Sequence, residues 1–208
     1  MTLTLLHTAK AHFATFDGLR DRIAPEAKLA HVVRSDWLEQ ARNGVGDALR
    51  AEIAAQIDNA PGPVLCTCTT LGMVAEELGA MRIDSPMMVQ AAALAAAAKG
   101  EIVLAYCLDS TLAPSAALLD SALEAQNYKA RVHAYSLAPF WPLYEAGQTE
   151  AFHAVIASGV REHLPDVADA ACVVLAQASM AGAAPLMSDL SIPVLTSPET
   201  ALRAALDL

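Results

Sequence analysis

Short, almost wholly apolar runs alternate along this chain with longer segments in which apolar residues recur every three or four positions. The runs are residues 3–6, 29–33, 64–66, 102–106, 131–134, 172–176 and 192–195. Between them, residues 47–57, 70–78, 115–125, 149–163 and 198–206 carry the helical spacing. Short runs of this kind fit strands, and the intervening period fits helices. Strands and helices in this alternation predict right-handed βαβ crossovers and mostly parallel sheets.

The pattern occurs twice. Ile83-Asp84-Ser85-Pro86 followed by an Ala-rich helix matches Leu195-Thr196-Ser197-Pro198 followed by another, each with a Ser cap and Pro at the first helical turn. Upstream, Val64-Leu65-Cys66-Thr67-Cys68-Thr69-Thr70 lies over Val173-Val174-Leu175-Ala176-Gln177-Ala178-Ser179, and Leu3 to Thr8 lies over Ile102 to Cys107. The expected fold is therefore α/β, with two similar flavodoxin-like α/β/α lobes related by a pseudo-two-fold rotation. Residues 1–94 are expected to form the first lobe and 95–195 the second, with 196–208 packing back on the first. An active-site cleft is expected between them at the carboxyl ends of the strands, with Cys68 and Gln177 facing each other.

Composition narrows the partners. Of 208 residues, 55% are apolar but only 5% aromatic, so the core must be assembled from Ala, Val, Leu and Ile. The net charge of −10 repels phosphate backbones and anionic lipid, which argues against nucleic acid and membrane partners. A small anion remains compatible, because helix N-termini can make a pocket locally positive. The longest apolar run, residues 87–98, is too short to span a bilayer, and residues 1–7 carry no cationic leader segment. Four cysteines without a secretory signal read as reduced thiols in a cytoplasmic protein. Cys66-Thr67-Cys68 has the wrong spacing for a zinc knuckle, the histidines show no metal-ligand spacing, and no phosphate-binding glycine loop or serine-hydrolase elbow occurs. No metal and no cofactor is expected.

Candidate chemistry lies at the strand ends. Cys68 follows the third run and precedes a helix, where free backbone N–H groups and the helix dipole favour thiolate. Thr69 and Thr70 supply hydroxyls, and Gly72 allows backbone to approach a ligand. The competing reading makes Cys68 a small buried hydrophobe and Thr70 a helix cap. Cys66 and Cys172 read as core, whereas Cys107 ends a strand and could reach a ligand. His7 and Thr8 end the first strand; Ser110 and Thr111 precede Pro114, which is expected to start the next helix, and could bind an anion or cap. Ala178 and Ser179 hold the matching place in the second half. The aromatic stretch Phe140 to Tyr144 either covers a cleft or packs a loop.

These strings resemble the aspartate/glutamate racemase superfamily, whose relatives include hydantoin racemases, maleate isomerases and arylmalonate decarboxylases. The resemblance spans the chain and rests on Thr67-Cys68-Thr69-Thr70-Leu71-Gly72, on Leu175-Ala176-Gln177-Ala178-Ser179-Met180-Ala181 and on Ile192-Pro193-Val194-Leu195-Thr196-Ser197-Pro198. It implies cofactor-independent chemistry at a carbon next to a carboxylate, with one cysteine from each lobe serving opposite faces of the substrate. Carried over by position, Cys68 is the first-lobe cysteine, Thr69 and Thr70 are its oxyanion-binding neighbours, and Gln177 replaces the second cysteine. The expectation is a homo-oligomeric (dimeric or tetrameric) racemase, isomerase or lyase for a small carboxylate, with Cys68 and Gln177 as catalytic residues. His7, Thr8, Thr69, Thr70, Ser110, Thr111, Ala178 and Ser179 would bind substrate. The alternative is a carboxylate-binding protein that has lost turnover with its second cysteine.

Overall fold

The structure, a computed structural model, describes residues 2–42 and 44–208. The chain divides into two compact units. The first holds the residues up to Ser85 together with Pro198–Leu208, and the second is Pro86–Ser197.

In chain order the first unit contains β1 (Thr2–His7), α1 (His12–Ile23), β2 (Lys28–Val33), α2 (Asp36–Gln40), α3 (Asp47–Asp58), β3 (Val64–Cys66), α4 (Thr69–Glu77) and β4 (Met81–Arg82). Its four strands form one parallel sheet in the order β2-β1-β3-β4. Side chains alternate across the sheet, so Leu6, Val64 and Cys66 join a core with Trp37, Leu49, Ile53 and Leu71. Leu3, Leu5 and His7 take the opposite face, where Phe16 of α1 is buried. Each fully buried Leu or Ile here contributes about 1.5–3 kcal/mol.

The second unit contains α5 (Ser85–Ala98), β5 (Glu101–Tyr106), α6 (Asp109–Ala125), β6 (Val132–Ser136), α7 (Trp141–Glu145), α8 (Thr149–His163), β7 (Ala170–Leu175) and β8 (Val194–Thr196). α9 (Ser197–Ala205) closes the chain. The strand order β6-β5-β7-β8 repeats the first sheet's topology, again all parallel. Met87, Met88, Leu104, Leu119 and Val174 pack one face, and Val103, Phe152, Ile156, Val173 and Leu175 the other. With alanine at positions 91, 92 and 95 of α5 fully buried, helix and sheet approach closely without aromatic filler.

One local expectation is corrected, and one segment departs from the repeat. Pro114 does not start a helix: α6 begins at Asp109 and carries Pro114 inside it. Asp109-Ser110-Thr111 is therefore the first helical turn. Ser110 lies exposed on it, and Thr111 is buried. The segment after β7 is not an α-helix but a 3₁₀ stretch, Ala178–Met187, with Pro185 within it. Proline removes a helical N–H and crowds the preceding turn, which disfavours a regular α-helix there. Phe140 to Tyr144 packs inward: Trp141 and Tyr144 lie 4.9 Å apart, and Tyr144 lies 5.3 Å from Phe152 of the core.

Candidate active site

Strand register places Cys68 and Gln177 at the same rank in their own units. Leu6 pairs with Cys66 and Ala105 with Leu175. One residue on, Thr67 N–H donates to the Leu6 carbonyl and Ala176 N–H to the Ala105 carbonyl, each at 2.9 Å. One residue further, both Cys68 (φ −110°, ψ 114°) and Gln177 (φ −116°, ψ 139°) are extended and cap the next helical segment. The two positions are backbone equivalents; their side chains do different things.

The Cys68 sulfur is surrounded by donors. The backbone N–H of Leu71 favours its ionised form most, followed by the Thr8 hydroxyl, the Thr70 N–H and the Thr70 hydroxyl. The donors come from the start of α4 and, through Thr8, from the end of β1. The expected thiolate does not form, however. Burial outweighs the donors and raises the Cys68 pKa, so the resting group is a thiol. Thr69, one residue after the cysteine, is buried, whereas Thr8 and Thr70 are half-buried.

Gln177 is 8% exposed, and its side-chain carbonyl is captured. It accepts from Cys107 N–H at 2.6 Å and from Leu108 N–H at 2.9 Å, both at the β5–α6 junction. Two donors on the oxygen fix the amide's orientation and leave its NH₂ as the group it can offer a ligand. The Gln177 side chain can thus donate hydrogen bonds, but it has neither a titratable proton nor a free acceptor. Beside it, Ala178 and Ser179 are half-buried, and the Ser179 carbonyl accepts from His153 Nε2 at 3.0 Å. The His153 ring fills the space at Gly182, where an added Cβ would lie 2.2 Å from the ring. That glycine is what lets α8 hold the segment behind Gln177 in place.

His7 has a different position from the expected ligand contact. It is 1% exposed, and both ring nitrogens are occupied: Nδ1 lies 2.8 Å from Thr67 Oγ1 and Nε2 lies 2.9 Å from His31 Nδ1. Burial, then the nearby His12 and His31, push its pKa down to about 3, so the ring is neutral. Gly72 likewise serves packing and not ligand approach. An added Cβ there would sit 3.2 Å from Arg82 Nε, and Arg82 is held in a buried fork with Asp84, Nε to Oδ1 at 2.7 Å and Nη2 to Oδ2 at 2.9 Å. Asp84 is wholly buried and Arg82 4% exposed.

No family model matches the chain, and no curated protein matches its sequence. Solved structures match it along its whole length. Picrophilus torridus aspartate racemase covers 99% of this chain and 93% of its own at 11% identity, with a TM-score of 0.67. Allantoin racemase from Klebsiella pneumoniae covers 100% and 87% at 16% identity, with a TM-score of 0.65. An arylmalonate decarboxylase covers 100% and 92% at 16% identity, with a TM-score of 0.53. The chain has the aspartate/glutamate racemase fold.

Within this racemase fold, the other three cysteines are core residues. Burial raises the thiols of Cys66, Cys107 and Cys172 to about 12. Cys66 donates to the Cys68 carbonyl at 3.6 Å, and Cys107 contributes its backbone N–H to Gln177 rather than a thiol to a ligand. Among the described residues, no three of His, Cys, Asp and Glu gather as a metal site, and no helix is long and apolar enough to cross a membrane. The sequence reading missed the Arg82–Asp84 pair and the bonds of His7 to Thr67 and His31. The first carries a faint signal, two opposite charges two residues apart next to buried Ile83. The second has none, since its members are 60 and 24 residues apart.

Proposed function

We propose that the protein is a cofactor-independent isomerase or lyase acting at the carbon next to the carboxylate of a small acid. The observation that carries this reading is the Cys68 thiol, buried yet surrounded by the Leu71 and Thr70 N–H groups and the Thr8 and Thr70 hydroxyls. A thiol that is protonated at rest, with donors waiting for its anion, is arranged to give up a proton. When loss of carbon dioxide leaves a carbanion at the substrate carbon, the S–H bond breaks toward it and the four donors stabilise the resulting thiolate. Solvent then returns a proton to sulfur. In the reverse direction the thiolate removes a proton from that carbon. The racemase and decarboxylase neighbours carry out chemistry of these names on the same fold, which supports the reading.

Gln177 stands where the racemase resemblance places the second acid–base group, and its chemistry bears on the reaction. A racemase with two acid–base groups needs one on each face of the carbon. An amide in the second place supplies N–H donors for a carboxylate or enolate oxygen but no transferable proton. The reading is therefore one-sided proton transfer: exchange, decarboxylation or isomerisation in preference to rapid interconversion of enantiomers. The raised Cys68 pKa also favours a second reading, a carboxylate-binding protein without turnover.

The deciding experiment incubates the protein with a panel of 2-substituted carboxylates and malonates in heavy water, monitoring deuterium at the α-carbon and loss of carbon dioxide. Turnover that falls roughly 10²–10⁴-fold in Cys68→Ala supports the enzyme. Carboxylate binding without exchange or decarboxylation across the panel supports the binding protein.

A further inference from the structure

Four side chains from four segments form a continuous line beneath the Cys68 loop. Asp17 of α1 lies 3.3 Å from His31 Nε2, His31 Nδ1 lies 2.9 Å from His7 Nε2, and His7 Nδ1 lies 2.8 Å from Thr67 Oγ1. The line crosses β2, β1 and the end of β3, neighbours in the sheet. Its inner end is stitched twice more, because Thr67 N–H and Thr67 Oγ1 both donate to the Leu6 carbonyl, at 2.9 and 3.0 Å. His7 is followed in the chain by Thr8, whose hydroxyl serves the thiol, and Thr67 is followed by Cys68 itself.

We propose that His7 is a positioning residue for Cys68, tying the Thr8 end of β1 to the Thr67-Cys68 end of β3 as the inner member of an Asp17–His31–His7–Thr67 chain. This rests on Cys68 being the working thiol of the proposed reaction. Thr67 Oγ1 bonds both the Leu6 carbonyl and His7 Nδ1, and His7 Nε2 bonds His31 Nδ1, so the ring is held from both sides. The charged or titratable groups facing this line are His12 and Asp17 on α1, His31 on β2, and Arg20, 3.5 Å from Asp17. His7 is packed deeply among Phe13, Phe16 and His12, which keeps its ring neutral and in place. The chain thus links a carboxylate whose side chain is 45% exposed to the hydroxyl next to the thiol.

The test reads the thiol and the imidazoles and not turnover, so its failure is separate from failure of the proposed reaction. The rate of Cys68 alkylation by iodoacetamide is measured against pH by peptide mapping, and hydrogen bonding at the His7 ring nitrogens by ¹⁵N NMR of histidine-labelled protein. His7→Leu should slow alkylation roughly 10-fold at a given pH through loss of the aligned donors. His7→Asn, whose amide stands where Nδ1 does, should restore most of the rate. Both ring nitrogens of wild-type His7 should carry the signature of hydrogen bonding, and His7→Asn gives a reading even if His7→Leu does not fold. The proposal is overturned if either His7 nitrogen is free of a hydrogen bond, if His7→Asn alkylates roughly 10-fold slower than the wild type, or if His7→Leu folds and alkylates like the wild type.

Discussion

The ends of β3 and β7 share backbone course, rank in their sheets and a buried apolar approach, yet one ends in Cys68 and the other in Gln177. At Cys68 the donors converge on the side chain from the start of α4 and from the end of β1. At Gln177 they converge from the β5–α6 junction, and they take the amide oxygen. The next segments differ as well. After Gln177 comes an irregular 3₁₀ stretch clamped by His153, whereas after Cys68 comes the regular helix α4, seated on Arg82. The same topology therefore builds an anion nest around an atom that carries a proton at one end and ties down an atom that cannot at the other. Duplicated architecture does not imply duplicated chemistry.

The largest expected effect lies on the Cys68 side. Cys68→Ala should lower α-proton exchange or decarboxylation by roughly 10²–10⁴-fold, whereas Gln177→Ala, which removes only hydrogen bonds, should cost about 10-fold. Steady-state rates on the same substrate check both, and equal losses would erase the distinction. Beneath α4, Arg82→Leu should destabilise the protein by about 3–5 kcal/mol, since it takes from the wholly buried Asp84 the guanidinium that pairs with it. Urea unfolding measures this, and a cost under about 1 kcal/mol would show that the pair does not anchor the nest.

Much of this was legible in the sequence because it is local. Short apolar runs bounded by helical spacing specified the strands, and Cys68 between an apolar run and a helix announced a thiol at a helix start. The illegible part depends on partners brought from far along the chain. Burial, which reverses the helix-terminus preference of Cys68, emerges only when α3 and α4 cover the sheet. The capture of the Gln177 carbonyl needs residues 70 and 69 positions away. The α6 start was misplaced because Pro114 was read as a helix opener, while the turn before it already accommodates a helix.

A smaller effect concerns pH. The His7 ring is held at about 3 in the folded protein against an ordinary 6.5, so the unfolded chain binds the proton first on acidification. The stability contribution is complete above pH 6.5 and is lost as pH falls toward about 3, with a slope of up to about 1.4 kcal/mol per pH unit. Melting curves of wild type and His7→Gln should diverge in the neutral range and converge in acid. Parallel curves would contradict the buried neutral ring. The smallest effect is one of ranking: Cys68 should alkylate faster than Cys66, Cys107 and Cys172, because donors oppose burial most strongly there. Peptide mapping after brief iodoacetamide treatment checks the order, and faster labelling of Cys107 would move the working thiol to the second unit.

The central claim is that one strand end transfers a proton and its equivalent cannot. The most direct measurement is the stereochemical course in heavy water, with wild type and Gln177→Cys each given a single enantiomer of a 2-substituted carboxylate that the wild type turns over. For the wild type, the account predicts deuterium incorporation with retained configuration, or decarboxylation to one enantiomer. It predicts that Gln177→Cys, with a second thiol, gains the mirror-image product. Rapid racemisation by the wild-type protein would contradict it.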